Sequence, residues 1–362
     1  MTPHTESPKT MISLYSGLGG LDYGFAQHGY RTLATAEADK HAAATHHNWL
    51  THFQDEAPQH YSDVLELQAD VENGTLGFPQ VDVIAGGPPC QGFSRAGAQD
   101  PNDPRSAHVH VFMDVVAAVK PRAFVMENVS TLATGARFSE VYETFIARAE
   151  TAGYTVATHI VDAADYGTPQ HRKRAIIIGT LDGEAIEMPA SDGQHMTVAE
   201  VFATLPRFGT PGNDTHYGCR VIPSKRPVIG RARNPYQGIF VNGPGRPLDM
   251  DRPSRTLTAN MDGGRGPFVD QAFLDGECDT SWHGDYFDHL KSGGEPATAA
   301  DVPATVRRIS VEEAAALTGF PPIMALHGPV ASQYRQIGNC VPPPLSQTIS
   351  MAVDGALCGV AV

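Results

Sequence analysis

Cys90 lies within Gly86-Gly87-Pro88-Pro89-Cys90-Gln91-Gly92-Phe93-Ser94. A short apolar run over residues 81–85 precedes it and reads as a buried parallel strand. The two glycines let the backbone turn sharply and let a ligand approach closely. The two prolines stiffen the loop that carries the thiol. The thiolate is the reactive form of cysteine, and a loop past a strand's carboxyl end sits where open α/β sheets bind ligands. A structural cysteine beside a tight turn would look the same locally, so its neighbours decide. Glu127 closes a second apolar run, residues 122–126, and places a carboxylate at a strand end beside the thiol, in reach as an acid or base. Arg172 and Arg174 alternate into an apolar strand over 175–179, which sends both to one face.

A second constellation comes earlier. Residues 10–20 read as a strand running into a glycine turn, followed by a helix from Leu21. That arrangement presents backbone N–H groups and a helix N-terminus to a ligand. Gly17, Gly19 and Gly20 do not have the dinucleotide-fingerprint spacing, so no pyrophosphate is implied. The run 31–36 ends at Glu37, which can accept from ribose hydroxyls or cap the helix that begins near Asp39. Asp63 follows a third short strand. Acid or glycine ends along one sheet edge would make a nucleoside pocket.

The chain of 362 residues can hold one large domain or two smaller ones. With 41% hydrophobic and 18% charged residues it is globular. No apolar run approaches the roughly 20 residues of a bilayer span, and residues 1–9 lack a signal peptide's apolar segment. Five cysteines, at 90, 219, 278, 340 and 358, form neither a disulfide framework nor paired metal-ligand spacing. A reduced intracellular protein without structural metal is expected. The net charge of −14 argues against nucleic acid until its distribution is read. Residues 206–247 carry seven basic side chains against Asp214, a net of +6, whereas 269–305 carry eight acids against Lys291. A chain polarised in this way can present one basic face. The acidic stretch reads as solvated surface.

Helices are expected over 108–119 and 138–152, and a strand over 154–161. The polar loop 95–106 has the composition of a lid. From Leu181 to about Met250, Gly and Pro become frequent and helical periodicity vanishes, so a boundary is placed near Thr180. Ser310 and Glu313 form a capping box before a short helix that stops at Gly319. Residues 334–342 read as a polar turn, and an apolar helix follows from Pro344.

In the order of these motifs the chain resembles the DNA (cytosine-5) methyltransferases. Ser16-Gly17-Leu18-Gly19-Gly20 is similar to the family's first cofactor motif, and Gly87-Pro88-Pro89-Cys90-Gln91-Gly92-Phe93-Ser94 to its nucleophile motif. Glu127-Asn128-Val129 and the Gln170–Arg174 run resemble the motifs that hold the base. Arg252-Pro253-Ser254-Arg255-Thr256 resembles the motif beside the recognition region. Residues 336–342 resemble the last motif, which returns to the cofactor pocket. Together these cover roughly residues 10–180 and 250–350. Two positions depart from the family's habit: Tyr15 stands where Phe is frequent, and His108 where an apolar residue is frequent, both near the cofactor's adenine.

The resemblance implies an α/β fold: a Rossmann-like methyltransferase sheet, mostly parallel with one antiparallel strand, and a smaller irregular target-recognition domain. It implies a catalytic domain over 1–180, a target-recognition domain over 181–305, a hinge over 306–333 and a returning segment over 334–362. It implies S-adenosyl-L-methionine as cofactor, held by Tyr15, Ser16, Gly17, Leu18, Gly19, Gly20, Glu37, Asp63, Pro89 and Asn339, and no metal. Cys90, Glu127, Arg172 and Arg174 are the implied catalytic residues. Gln91, Ser94, Arg220, Arg231, Arg233, Gln237 and Arg255 are the implied DNA contacts. The implied partner is double-stranded DNA, with a cognate restriction endonuclease as a further partner of a cytoplasmic, prokaryotic or phage, monomeric enzyme.

The chemistry suits these residue types. Carbon 5 of cytosine is a poor nucleophile until a thiolate adds to carbon 6, and Cys90 is placed to add. Glu127 would hold N3 and the exocyclic amine as charge builds on the ring. Arg174 would contact the base's carbonyl oxygen or orient the acid. Arg172 would do similar work, grip backbone phosphate, or serve only in a structural ion pair. The base must leave the stack to be reached. Two alternatives use the same frame: an RNA (tRNA) cytosine-5 methyltransferase, whose branch carries a Cys-Phe-Thr motif absent here, and a catalytically silent DNA-binding homologue, which would lose the cysteine or the acid.

Overall fold

The computed structural model describes residues 9–78, 80–89, 104–181, 183–191, 193–230, 236–241, 246–261 and 265–359, with the side chains of residues 104 and 105 not described. Seven strands form one sheet: β1 (Thr10–Leu14), β2 (Arg31–Ala36), β3 (Gln59–Tyr61), β4 (Val83–Gly86), β5 (Ala123–Val129), β6 (Tyr154–Asp162) and β7 (Lys173–Leu181). Their spatial order is β3-β2-β1-β4-β5-β7-β6. The neighbours from β3 to β5 pair in parallel, and β7 runs antiparallel to both β5 and β6. The expected sheet, mostly parallel with one reversed strand, is the one observed. Every residue of β1 and β4 is buried, which is why these strands read as continuous apolar runs without alternation.

Helices α1 (Gly20–Gln27), α2 (Lys40–Leu50), α3 (Val64–Glu72), α4 (His108–Val119), α5 (Thr131–Thr134) and α6 (Ser139–Thr151) connect these strands. Asp39 caps α2 and Asp63 caps α3 by accepting from backbone N–H groups of the first turn. On one face of the sheet, Phe112 of α4 and Phe145 of α6 pack with Phe124 and Tyr154. Gly179 lies opposite Phe124 in the β5–β7 register, and a methyl group added there would overlap the Phe124 ring.

The chain groups into two units: Met1–Gln194 with Gly319–His327 and Cys340–Val362, and His195–Thr318 with Gly328–Asn339. The second unit holds α7 (Val198–Phe202), the antiparallel pair β8 (Phe268–Asp270) and β9 (Val306–Arg308), α8 (Gln271–Leu274), α9 (Trp282–Lys291), α10 (Val311–Leu317) and α11 (Val330–Asn339). The last helix, α12 (Pro343–Cys358), belongs to the first unit and packs on α1, where Gly24 N donates to Ser346 Oγ at 2.9 Å.

Several expectations are corrected. The change near Thr180 comes later, because Tyr166 Oη donates to Pro189 O at 3.2 Å and Ile186 is buried with the sheet's core. Residues 306–318 are not a separate hinge: β9 pairs with β8, and Val311 N donates to Thr215 O at 2.8 Å. Nor does 334–362 return as one piece, since α11 stays with the second unit. The polar turn expected over 334–342 is largely α11, a helix with Tyr334, Gln336, Ile337 and Gly338 buried and Arg335 and Asn339 exposed. Helical structure does not vanish over 181–250, because Thr197 and Glu200 form a capping box that starts α7. The acidic stretch is more than solvated surface: α9 lies within it, capped by Ser281, and buries Tyr286 and Leu290.

Candidate active site

The parallel order of the first five strands brings their carboxyl ends to one edge of the sheet. Read along that edge, β3 is followed by Asp63, β2 by Glu37, β1 by the glycine turn and β4 by Gly87-Pro88-Pro89, while β5 carries Glu127. The reversed strand β7 contributes its beginning, Arg174, to the same edge. Residues spread from position 15 to position 174 are thereby placed in one row, at the address where open α/β sheets bind ligands.

Glu127 and Arg174 meet across β5 and β7. Glu127 pairs with Ile176 and Val129 with Arg174, so Glu127 and Arg174 are diagonal neighbours on one face. Arg174 Nε stands 2.7 Å from Glu127 Oε1, and both side chains are largely covered. The contact is close without hydrogen-bond alignment, and Glu127 Oε1 has no hydrogen-bond partner among the described residues. The buried carboxylate oxygen is balanced by the Arg174 charge and keeps lone pairs for a further donor.

The loop toward the thiol is fixed at its start. Asn128 Nδ2 donates to Pro88 O at 3.1 Å, and Asn128 is buried. A methyl group at Gly87 would stand 3.2 Å from Glu127 Oε2, so a larger residue there would press on the acid. Cys90, Gln91 and Ser94 lie outside the described residues, as do Arg231 and Arg233.

Arg172 precedes β7 and is 2% exposed. Its backbone is held by Asp162, whose Oδ1 accepts from Arg172 N at 2.7 Å, and by Ala163 N, which donates to Arg172 O. So covered a side chain is poorly placed to grip backbone phosphate from solvent; it suits a contact inside the site. Arg172 also acts on Cys340. Burial pushes the Cys340 thiol far up, with Arg172 pulling it down and Glu127 and Asp22 adding to the rise. Its Sγ donates to Val341 O at 2.8 Å. The Cys340 thiol is therefore a protonated, packed group.

The glycine turn needs its glycines for two reasons. Gly17 and Gly19 have φ of 56° and 84°. A methyl group at Gly19 would overlap His46 and Trp49, and one at Gly20 would overlap Cys340 and the Val341 carbonyl. Glu37 Oε2 accepts from Gly17 N at 2.8 Å and Oε1 from Asp39 N at 2.7 Å, so the carboxylate both braces the turn and retains lone pairs toward the edge. Asp63 is exposed, with Oδ1 capping Leu65 N at 2.9 Å. Ser16 Oγ is buried without a hydrogen-bond partner among the described residues. Leu18 O accepts from Trp49 Nε1 at 2.7 Å. Asn339 is the exposed last residue of α11, in the second unit.

The sequence reading gave no role of their own to several residues that shape the row. Asn128 ties β5 to the Pro-Pro loop. Trp49 carries the glycine turn. Below it, Asp22 accepts from Ser13 Oγ at 2.8 Å and lies 2.9 Å from His46 Nε2, all three buried. The signals available were the Asn within Glu127-Asn128-Val129 and one of only two tryptophans.

The family described as C-5 cytosine-specific DNA methylase matches residues 9–234 and 255–354. The chain belongs to that family. This DNA (cytosine-5) methyltransferase is 30% identical over 354 residues to the Type II methyltransferase M1.HphI of Haemophilus parahaemolyticus, covering 95% of this chain and 86% of that one. It is 28% identical over 374 residues to the Type II methyltransferase M.XorII of Xanthomonas oryzae, covering 96% and 84%. Among solved structures, the methyltransferase EhMeth of Entamoeba histolytica superposes with a TM-score of 0.65 over 97% of this chain and 99% of that one, at 16% identity, and so shares the fold.

In the second unit of this methyltransferase, Arg220, Gln237 and Arg255 are exposed. The segment after Arg255 meets the motif near the chain's end: a methyl group at Gly338 would overlap the backbone of Thr258 and Ala259. Among the described residues no cluster of His, Cys, Asp or Glu could hold a metal ion, and no helix is long and apolar enough to cross a membrane.

Proposed function

We propose that this methyltransferase transfers a methyl group from S-adenosyl-L-methionine to carbon 5 of a cytosine flipped out of double-stranded DNA, through a covalent bond between Cys90 and carbon 6. The observation that carries the reading is the row itself. Glu37, Asp63 and the glycine turn occupy one half of the sheet edge, and the Pro-Pro loop, Glu127 and Arg174 the other. A nucleoside-bearing donor fits the first half, where Ser16 Oγ is an unmatched buried hydroxyl and the Glu37 and Asp63 carboxylates offer acceptors to ribose and amine.

When bound, the cofactor supplies an electrophilic methyl group. Cys90 adds to carbon 6 and leaves carbon 5 nucleophilic. Glu127, with Oε1 open to a donor, holds the exocyclic amine and N3 and stabilises the charge that develops there. Arg174 fixes the Glu127 carboxylate from the side, and Arg172 works from within the site. Loss of the carbon 5 proton then expels the thiolate and restores the aromatic ring. Cytosine inside the duplex cannot meet these groups, so flipping precedes attack. The second unit carries the exposed cations that would hold the duplex. An endonuclease cutting the same sequence is the partner that this activity would protect against.

The test is covalent trapping. A duplex bearing 5-fluorocytosine at the target position, incubated with protein and S-adenosyl-L-methionine, is expected to give a denaturant-stable adduct, because fluorine cannot leave as a cation. Cys90→Ser should give none. An adduct that persists in Cys90→Ser, or methylation of tRNA in preference to duplex DNA, would overturn the reading.

A further inference from the structure

Within the basic tract of the second unit, two extended segments lie side by side. Val241 N donates to Ile222 O at 2.8 Å and Ser224 N donates to Ile239 O at 2.9 Å, around an antiparallel bridge between Pro223 and Phe240. Ile222 and Val241 are therefore register partners on one side of a two-stranded ribbon, and Pro223 and Phe240 occupy the other. The covered side is secured: Phe240 packs edge-on to Phe268 at 5.0 Å between ring centres and against Trp282. The other side is open, with Ile222 37% and Val241 39% exposed. Exposure alternates along the leading segment. Arg220 and Ile222 are exposed, while Val221 and Pro223 are buried and Cys219 is half-buried. Lys225 and Arg226, both exposed, stand at the irregularity that follows.

Isolated exposed aliphatic side chains are ordinary. This placement is not. Of the eight exposed large hydrophobic residues among those described, Ile222, Val228 and Val241 fall within twenty residues of one another. They sit inside the chain's most basic stretch, beside the exposed cations Arg220, Lys225 and Arg226. A two-stranded ribbon fits the major groove, where apolar side chains meet the methyl group on carbon 5 of a pyrimidine and arginine meets guanine.

We infer that Ile222 and Val241 form a methyl-reading patch: they receive the C5-methyl group of a pyrimidine in the major groove, with Arg220 addressing a guanine close by. Residues two apart on an extended chain are separated by about 6.6 Å, and stacked base pairs by about 3.4 Å. The methyl and the guanine should therefore lie within about two base pairs of each other. Lys225 and Arg226 then reach the flanking phosphates. The methyl group has two sources of identical chemistry, a thymine of the recognition sequence or a cytosine already methylated on the partner strand.

The inference rests on the DNA reading above, and the experiment keeps the two apart because it compares two duplexes on one active enzyme. Once sequencing of methylated DNA has given the recognition sequence, kcat/KM is measured on duplexes with each thymine replaced in turn by uracil, and on unmethylated against hemimethylated duplexes. The same set is run with the double variant Ile222→Ser, Val241→Ser. A three- to tenfold loss with uracil at one position in the wild type, absent in the variant, assigns the patch to thymine; this is about what one buried methyl group contributes. A comparable preference for the hemimethylated duplex, likewise lost in the variant, assigns it to methylcytosine. A wild type indifferent to every methyl group, or a preference that survives in the variant, overturns the inference. Absence of DNA methylation altogether would instead remove the reading beneath it.

Discussion

The hydroxyl of Tyr15 lies 3.0 Å from Nδ1 of His108, and its proton also reaches His108 O at 3.3 Å. Each of these two side chains thus provides the other's partner. Tyr15 holds a left-handed backbone conformation, φ 54°, at the entry to the glycine turn, so its side chain has little freedom to relocate. Burial, with Asp63 and Asp114 adding to it, pushes the Tyr15 hydroxyl up, which keeps it a neutral donor. Tyr15→Phe should leave a partly buried imidazole unmatched and raise KM for S-adenosyl-L-methionine several-fold with little change in kcat. The double variant Tyr15→Phe, His108→Leu should recover much of that loss. A double-mutant cycle on cofactor affinity measures it; strict additivity would show that the two side chains act separately.

The pairing of Glu127 with Arg174 predicts unequal losses. Glu127→Gln keeps the shape but cannot place the same charge against the base, and kcat should fall by about two to three orders of magnitude. Arg174→Lys should lose less than Arg174→Ala, yet not recover the wild type, because an ammonium cannot reproduce the flat guanidinium beside Oε1. Single-turnover methylation resolves these differences from product release.

Gly179 faces the ring of Phe124 with no room for a methyl group. Gly179→Ala should cost about 1–3 kcal/mol of stability by overpacking a sheet buried on both faces. Urea denaturation followed by circular dichroism would show a lower midpoint with an unchanged slope. Activity at low temperature should persist, since Gly179 is remote from the edge that holds the site.

His283 on α9 is buried, with Nε2 3.0 Å from Ser281 Oγ. Burial pulls its pKa down to about 4, against the opposing influence of Asp270 and Asp285. The folded form thus binds a proton less readily than the unfolded chain, whose histidine titrates near pH 6.5. Stability from this group is complete above about pH 6.5 and is lost as pH falls toward 4, by at most about 3 kcal/mol. Denaturation midpoints between pH 7.5 and 5 should fall in the wild type and fall less in His283→Gln.

Some of this was legible from the residues alone. The Ser310–Glu313 capping box announced α10, and the apolar runs before Gly86, Glu37 and Glu127 announced strands, the first of them buried and parallel. The same capping signature at Thr197 and Glu200 starts α7, but five residues are too few to display a helical period. Residues 330–339 hide their helix for a different reason. Gln, Arg, Ser, Gly and Asn make the segment look like a turn, yet Tyr334 Oη donates to Ile309 O at 2.6 Å and Gly338 closes on the 258–259 backbone. Those contacts come from residues distant in sequence.

Local sequence, then, determined which groups this protein has for chemistry: a thiol on a stiffened loop, a carboxylate at a strand end, glycines where a backbone must be approached. Turns, caps and buried strands depend on neighbours along the chain, so they could be read in order. Only the tertiary structure decided which of those groups share a row. The sheet order places β4 between β1 and β5, and the reversal of β7 brings Arg174 to Glu127. It also gave Tyr15 its partner ninety-three residues away in the chain. Strand order and long-range packing are set by how many apolar faces can be buried together, a property of the whole chain that no single stretch carries.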